Sequence, residues 1–143
     1  MKLKQKPIVF FVDYDDLFRD MGLQVLSVDF ETVLFESSEK MFEILNEKIR
    51  PDIIILNFST SCEKEINILK KLKSNSDLVE IPVVILIGMN KEIEKELFQN
   101  GANEILYKPI PAYLLIKVIK LHLSVIKLRM QINGNGKNGV KLI

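Results

Sequence analysis

The chain has 143 residues, of which 48% are hydrophobic and 27% are charged, and its net charge at pH 7 is +1. This length and composition indicate one globular domain with a hydrophobic core and exclude an intrinsically disordered chain. The single cysteine, Cys62, excludes an intramolecular disulfide, and no run approaches the ~18 apolar residues of a membrane-spanning helix. We therefore expect a cytoplasmic protein that does not enter a membrane.

The charge is distributed unevenly along the chain. Because the whole chain carries +1 and the segment from 111 to 143 has six basic and no acidic residues, positions 1–110 carry −5. A basic C-terminal segment can bind an acidic protein, a nucleic acid or a membrane surface, or it can be a solvated helix face. The solvated face is the simplest interpretation. The six residues are Lys117, Lys120, Lys127, Arg129, Lys137 and Lys141.

Strands and helices alternate along the sequence. Continuous apolar runs, typical of strands buried on both faces, and apolar residues at helical spacing predict each element. A strand over 7–12 precedes a helix over 15–28, and a strand over 32–35 precedes a helix over 39–49 with Ser38 as its N-cap. A strand over 52–56 precedes a helix over 63–73, and a strand over 82–87 precedes a helix over 92–100, after which Gly101 stands at the C′ position. The last strand covers 104–107, and the last helix begins near Pro111.

This alternation predicts an α/β fold of the doubly wound (βα)₅ type. Its five-stranded parallel sheet is covered by helices on both faces, which gives a three-layer sandwich. In such folds the functional site lies outside the carboxyl ends of the strands. The residues at these ends are Asp13, Asn57, Ile87, Gly88 and Lys108.

The strand ends lack two of the groups that a phosphorylation site needs, the nucleophile and the further carboxylates for a metal ion. Such a site needs a nucleophilic carboxylate, further carboxylates that hold Mg²⁺, and a cation for the phosphoryl oxygens. Asp13 supplies one carboxylate and Lys108 the cation, but Asn57 ends the third strand with a neutral amide that is a poor nucleophile. Asp15 and Asp16 are best explained as residues that start the first helix. We expect no catalytic residue, no metal site, and weak or absent Mg²⁺ binding.

Five segments in this order resemble the receiver domain of bacterial two-component response regulators, whose fold is CheY-like and flavodoxin-like. They are Val12-Asp13, 51–57, 82–86, 101–104 and Lys108-Pro109, and they extend over nearly the whole chain. The resemblance implies a role in phosphorelay signal transduction. It also implies that the Lys108–Pro109 peptide bond is cis.

The resemblance assigns Asn57 to the place of the phosphoacceptor aspartate. In the family, the first strand ends in an acidic pair, of which Asp13 matches the first member and Tyr14 replaces the second. Gly88 and Lys108 keep the family's pattern. We interpret these residues, together with Ile87, as the vestigial pocket of a degenerate pseudo-receiver, in which Lys108 is expected to pair with Asp13.

Two positions that the resemblance assigns to the readout of phosphorylation are also altered. Ile87 stands where the family has a threonine or serine, and Ile105 stands at the aromatic switch position. Both side chains are apolar and close together in the predicted sheet. We expect them to pack against each other and to hold helix 4 and strand 5 in one state.

The last helix carries apolar residues with spacing 4-3-4-3-4, which is an a/d seam. A second apolar set lies beside this seam, so that one set can cover the sheet while the other is left without a partner in the chain. We expect the seam, with helix 4 and strand 5, to bind a second copy of the chain or another protein. An unusually apolar core helix is the alternative. The seam consists of Leu114, Val118, Leu121, Val125, Leu128 and Ile132.

The domain is expected to span 1–132, with a flexible tail or the start of a linker over 133–143. We predict a receiver-like signalling module that acts by protein–protein interaction or dimerisation, is not an enzyme, and needs no cofactor. A receiver with a non-standard or still functional phosphorylation or metal site is the alternative. A flavodoxin-like enzyme would need a glycine-rich loop in place of Tyr14-Asp15-Asp16. Direct nucleic-acid binding is not expected, because no recognition motif is present.

Overall fold

A computed structural model describes residues 5–58 and 63–137, with side chains as far as Ile132. Cys62 and residues 138–143, which belong to the predicted tail, lie outside the described residues. The elements alternate as predicted. They are β1 (Ile8–Val12), α1 (Asp16–Leu26), β2 (Glu31–Phe35), α2 (Ser38–Asn46), β3 (Ile53–Asn57), α3 (Glu63–Lys73), β4 (Val83–Ile87), α4 (Glu94–Gln99), β5 (Glu104–Tyr107) and α5 (Ala112–Lys137).

The strands form one parallel sheet with the order β2-β1-β3-β4-β5. The chain moves from β1 outward to β2 and then crosses back to β3, so that β1 and β3 are neighbours at the point where the winding reverses. The carboxyl ends of these two strands carry Asp13 and Asn57. The predicted doubly wound α/β fold is confirmed.

Alternate residues of the strands face opposite sides of the sheet. On one side, Phe10, Ile54 and Ile85 join a single hydrophobic cluster with residues of α2, α3 and α4. On the other side lies α1, where a Cβ atom built on Gly22 would be 3.3 Å from the Phe11 ring. The central strands β3 and β4 are buried along their whole length, as their continuous apolar runs predict.

The N-cap of α2 is Ser37, and the prediction of Ser38 was wrong by one position. Ser37 has extended backbone angles, and its hydroxyl accepts a hydrogen bond from the Lys40 N–H at 3.3 Å. Ser38 is already the first helical residue. Two adjacent serines cannot be separated by type, because only the backbone angles distinguish an N-cap from the first turn. Gly101 has a positive φ of 109° after α4, as the C′ position requires.

The chain divides into two compact units, Met1–Ile110 and Pro111–Ile143. The second contains α5, a helix of 26 residues with a length of about 39 Å. It is longer than predicted, since residues 133–137 extend it where a tail was expected. Helix propensity does not explain this extension, because each glycine disfavours a helix by about 1 kcal/mol relative to alanine. In the described part of the chain, no helix is both long and apolar enough to cross a membrane.

Candidate functional site

A cleft of about 650 Å³ lies at the carboxyl edge of the sheet, where β1, β3 and β5 end. Asp13, Asn57 and Lys108 all line it, so the structure brings together three of the residues that the sequence placed at the strand ends. Tyr14 and Phe18, which are about half exposed, also line it. The loop after β1 and the first turn of α1 therefore form one wall.

Asn57 is the last residue of β3, and its side chain is 9% exposed. Its Nδ2 donates a short hydrogen bond to Oδ2 of Asp13. Its Oδ1 is buried and accepts no hydrogen bond in the part of the chain that the structure describes. The Asn57 amide thus donates to the Asp13 carboxylate. A carboxylate at position 57 could not make this contact unless a proton or a cation lay between it and Asp13.

Asp13 is 4% exposed, and both of its carboxylate oxygens have partners. Oδ2 accepts from Asn57, and Oδ1 accepts from the backbone N–H of Asp15 at 2.9 Å. The guanidinium of Arg19 donates to the Asp13 carbonyl and forms an ion pair with Asp16. A buried carboxylate is thereby satisfied within the protein, as a polar group without access to water requires.

Lys108 has a different partner from the one that the sequence predicted. Its Nζ donates to the backbone carbonyl of Phe58 at 3.1 Å, and among the described residues no ion pair joins Lys108 to Asp13. The Asn57 amide has taken the place that Lys108 was expected to fill. Burial lowers the pKa of the Lys108 ammonium, and the charge of Asp13 partly opposes this shift. The Lys108–Pro109 bond is cis, as the resemblance implied.

The acidic residues after β1 start the helix, as predicted. Asp15 is the N-cap of α1, and its carboxylate accepts from the Leu17 N–H at 2.9 Å. Asp16 lies in the first turn and pairs with Arg19. Tyr14, at the place of the family's second acidic residue, is 51% exposed. Across the described residues, no group of three or more His, Cys, Asp and Glu side chains is placed to hold a metal ion.

Ile87 and Ile105 are both buried in the hydrophobic cluster between the sheet and α2, α3 and α4. Ile87 ends β4, and Ile105 is paired in register with Ile85, two residues before that end. The end of β4 therefore presents an apolar side chain to the core and brings no hydroxyl to the cleft. A Cβ atom at Gly88 would meet no atom within 4 Å, so packing does not demand a glycine there.

A contact between β5 and α4 was not expected from the sequence. The hydroxyl of Tyr107 donates a short hydrogen bond to the carboxylate of Glu94, and this bond raises the pKa of Tyr107 to about 12. Tyr107 lies opposite Ile87 in the sheet and packs on the hydrophobic cluster. The two partners are 13 positions apart on different elements, and no local spacing rule predicts such a pair.

The seam on α5 is exposed beyond the first turns of the helix. Leu121 and Leu128 are 60% and 57% exposed, and Val125 and Ile132 are also exposed. Leu114 and Val118 are partly exposed. From the second apolar set, Leu115 and Ile119 are buried, whereas Met130 is exposed.

An exposed apolar surface on the first helix was not predicted from the sequence. In α1 only Leu26 is fully buried, while large apolar residues at helical spacing lie in solvent. The same spacing is typical of a core-facing helix, so the pattern alone does not reveal exposure. We call these residues the α1 stripe. They are Leu17, Phe18 and Met21, with Val28 just after the helix.

Solved receiver domains share this fold. The chain superposes with a TM-score of 0.77 and 22% identity on the signal receiver domain of a LuxO repressor protein from Vibrio parahaemolyticus, covering 89% of this chain and 97% of that one. The signal receiver domain of a histidine kinase from Syntrophus aciditrophicus gives a TM-score of 0.75 at 21% identity, and the match covers 85% of this chain and 92% of that one. NtrX from Brucella abortus gives a TM-score of 0.81 at 24% identity, and the match covers 97% of this chain and 31% of that one. No protein-family model and no curated protein matches the sequence. Identities this low establish the fold alone.

Proposed function

We propose that this chain is a receiver-like signalling module that acts by associating with another protein or with a second copy of itself. It takes no phosphoryl group on the residue at the end of β3 and catalyses no reaction. Its fold is that of the receiver domains of response regulators. The departure from their chemistry lies at the carboxyl edge of the sheet.

The observation that carries this proposal is the hydrogen bond from Asn57 to Asp13. An acyl phosphate forms on a carboxylate, and an amide nitrogen that donates to a neighbouring carboxylate has no lone pair available for attack. Asn57 is buried and held in place by this bond. The position is therefore occupied by a structural group.

The donor set does not fit Mg²⁺, which the resemblance implies for working receivers. Mg²⁺ needs oxygen ligands in near-octahedral geometry, with carboxylates among them. Three carboxylates line the cleft, those of Asp13, Asp15 and Asp16, and each already accepts a hydrogen bond or an ion pair within the protein. Asn57 turns its nitrogen toward Asp13, and Tyr14 has no carboxylate. No step of the proposed function passes through a metal.

The readout positions support the same proposal. With Ile87 and Ile105 buried in the core, neither a hydroxyl nor an aromatic ring at these positions can follow a phosphoryl group. The Tyr107–Glu94 hydrogen bond ties β5 to α4. We propose that this surface is held in one arrangement, available for a partner without prior activation. The seam on α5 supplies exposed apolar side chains for association.

The test is to incubate the protein with acetyl phosphate and Mg²⁺ and to measure its intact mass. The Asn57→Asp variant is the matched control, because it restores a carboxylate beside Asp13 and Lys108. We expect the variant to gain one phosphoryl group and the wild type to gain none. A stoichiometric acyl phosphate on the wild type would instead support the phosphorelay receiver with a non-standard site.

A further inference from the structure

Part of the apolar seam on α5 lies in solvent, and we call this part the α5 stripe. Each of its four residues is more than a third exposed, from 38% at Ile132 to 60% at Leu121. Contiguous apolar surface of this kind is uncommon on a monomer and marks an interaction site. The α5 stripe consists of Leu121, Val125, Leu128 and Ile132.

The two alternating positions of the whole seam carry different types of side chain. When the seam is counted as a heptad repeat, every a position holds a β-branched residue and every d position holds leucine. In parallel coiled coils this combination favours two strands, whereas leucine at a with isoleucine at d favours three or four. The a positions are Val118, Val125 and Ile132, and the d positions are Leu114, Leu121 and Leu128.

We propose that α5 forms a parallel, two-stranded coiled coil with α5 of a second copy of the chain. The two helices lie in register, so that each a or d residue packs in one layer with the same residue of the other copy. This inference rests on the proposed function, in which the chain acts by association. It identifies the partner as a second copy and fixes the direction of the two helices. Because α5 is already a helix of 26 residues, association needs no new helix nucleation.

The charges beside the seam favour the parallel direction. Three lysines lie on one side of the seam, at g and c positions. A parallel pair places the g side of each helix against the e side of the other, whereas an antiparallel pair would bring the two lysine sides together, and juxtaposed like charges oppose association. In the parallel register, Lys117 faces His122 of the second copy, and Ser124 faces Arg129. The three lysines are Lys117, Lys120 and Lys127.

The first experiment measures the mass and the dissociation constant of the wild type by sedimentation equilibrium over a range of protein concentrations. We expect the mass of two chains. Leu121→Ala removes one d side chain from each helix and should weaken the dimer at least ~10-fold. Met130→Ala is the matched control, because Met130 is 70% exposed on the same helix and lies at an f position, opposite the seam. The control should leave the dissociation constant unchanged.

A disulfide cross-link tests the direction of the helices. All variants carry Cys62→Ser, which removes the native cysteine of the chain. In a parallel pair, Leu121→Cys brings two d-position thiols together at the helix contact, and mild oxidation should give a covalent dimer. Lys127→Cys, at a c position away from the contact, is the control and should give none. In an antiparallel pair Leu121 faces an a position instead, so a dimer that fails to cross-link through Leu121→Cys overturns the parallel direction.

The outcomes separate this inference from the proposed function. A wild-type chain that stays monomeric at all concentrations overturns the coiled coil, and so does an equal weakening by Leu121→Ala and Met130→Ala. A mass of three or four chains overturns the two-stranded assignment. None of these results bears on phosphorylation, which the acetyl phosphate experiment decides independently.

Discussion

At the carboxyl edge of the sheet, polar side chains bind one another inside the protein, whereas on α1 and α5 large apolar side chains lie in solvent. Asp13 and Asn57 are both at least nine-tenths buried and hydrogen-bonded to each other. Leu17 and Leu121 are each more than half exposed. The usual placement of polar and apolar groups is thus reversed between the two regions.

The reversal indicates which region is available to a ligand. A buried polar group that is satisfied by its neighbours contributes to stability and has little left to offer another molecule. An exposed apolar side chain contributes favourable free energy only when another surface removes it from water. Substitutions at the carboxyl edge should therefore change folding stability, and substitutions in the stripes should change association.

The largest effect on stability is expected from Ile87→Ala. Ile87 is 1% exposed in the hydrophobic cluster, and the truncation would leave a cavity, with a loss of about 3 kcal/mol in the free energy of unfolding. Leu128→Ala on the α5 stripe is the matched control, with a change of less than ~0.5 kcal/mol. Urea unfolding at a concentration that favours the monomer measures both. Similar losses for the two variants would contradict the contrast between the regions.

The second-largest loss of stability is expected from Asn57→Asp in the absence of divalent cations. The variant replaces the hydrogen bond to Asp13 with two buried carboxylates side by side, which we expect to cost about 2 kcal/mol at neutral pH. Mg²⁺ should restore part of this stability, because it binds the folded variant and compensates the paired negative charge. Thermal unfolding with and without Mg²⁺ measures the difference, and the wild type should respond much less. A variant as stable as the wild type without Mg²⁺ would show that the amide is not needed.

Much of the carboxyl edge could be predicted from the sequence because strand ends are marked by composition. The apolar runs end at Asp13, Asn57 and Ile87, and parallel strands bring these ends to one edge. The positions within the site therefore followed from the order of the elements. The cis bond before Pro109 followed from the resemblance.

Contacts between side chains could not be predicted in the same way. Lys108 was expected to pair with Asp13 because opposite charges attract, but an amide on the neighbouring strand β3 competes for the same carboxylate at closer range. The partner of Tyr107 lies on another element, and its position depends on how α4 packs. The exposure of the α1 stripe depends likewise on how the helix is turned against the sheet, which periodicity does not reveal.

A smaller effect is expected from Tyr107→Phe, which removes only the hydrogen bond to Glu94. The loss should be about 1 kcal/mol near neutral pH. Folding raises the pKa of Tyr107 to about 12 from its ordinary value of 10, so the unfolded chain ionises first as the pH rises. This contribution is therefore fully present below pH 10 and is lost between about 10 and 12. Urea unfolding across this range should show the wild type and the variant converging, and a constant difference would contradict the assigned bond.

The smallest effect is expected from Lys108→Met, although the resemblance marks this lysine as the cation of the site. The ammonium donates a hydrogen bond to the Phe58 carbonyl, and burial lowers its pKa, so the charged form is less favoured in the folded protein than in water. The variant loses that hydrogen bond, but it no longer buries a charged group. These two contributions to the free energy of unfolding have opposite signs and nearly cancel. The free energy of unfolding at neutral pH should change by less than ~0.5 kcal/mol. A loss several times larger would mean that Lys108 neutralises Asp13 after all, and that the carboxyl edge depends on an ion pair as well as on the Asn57 amide.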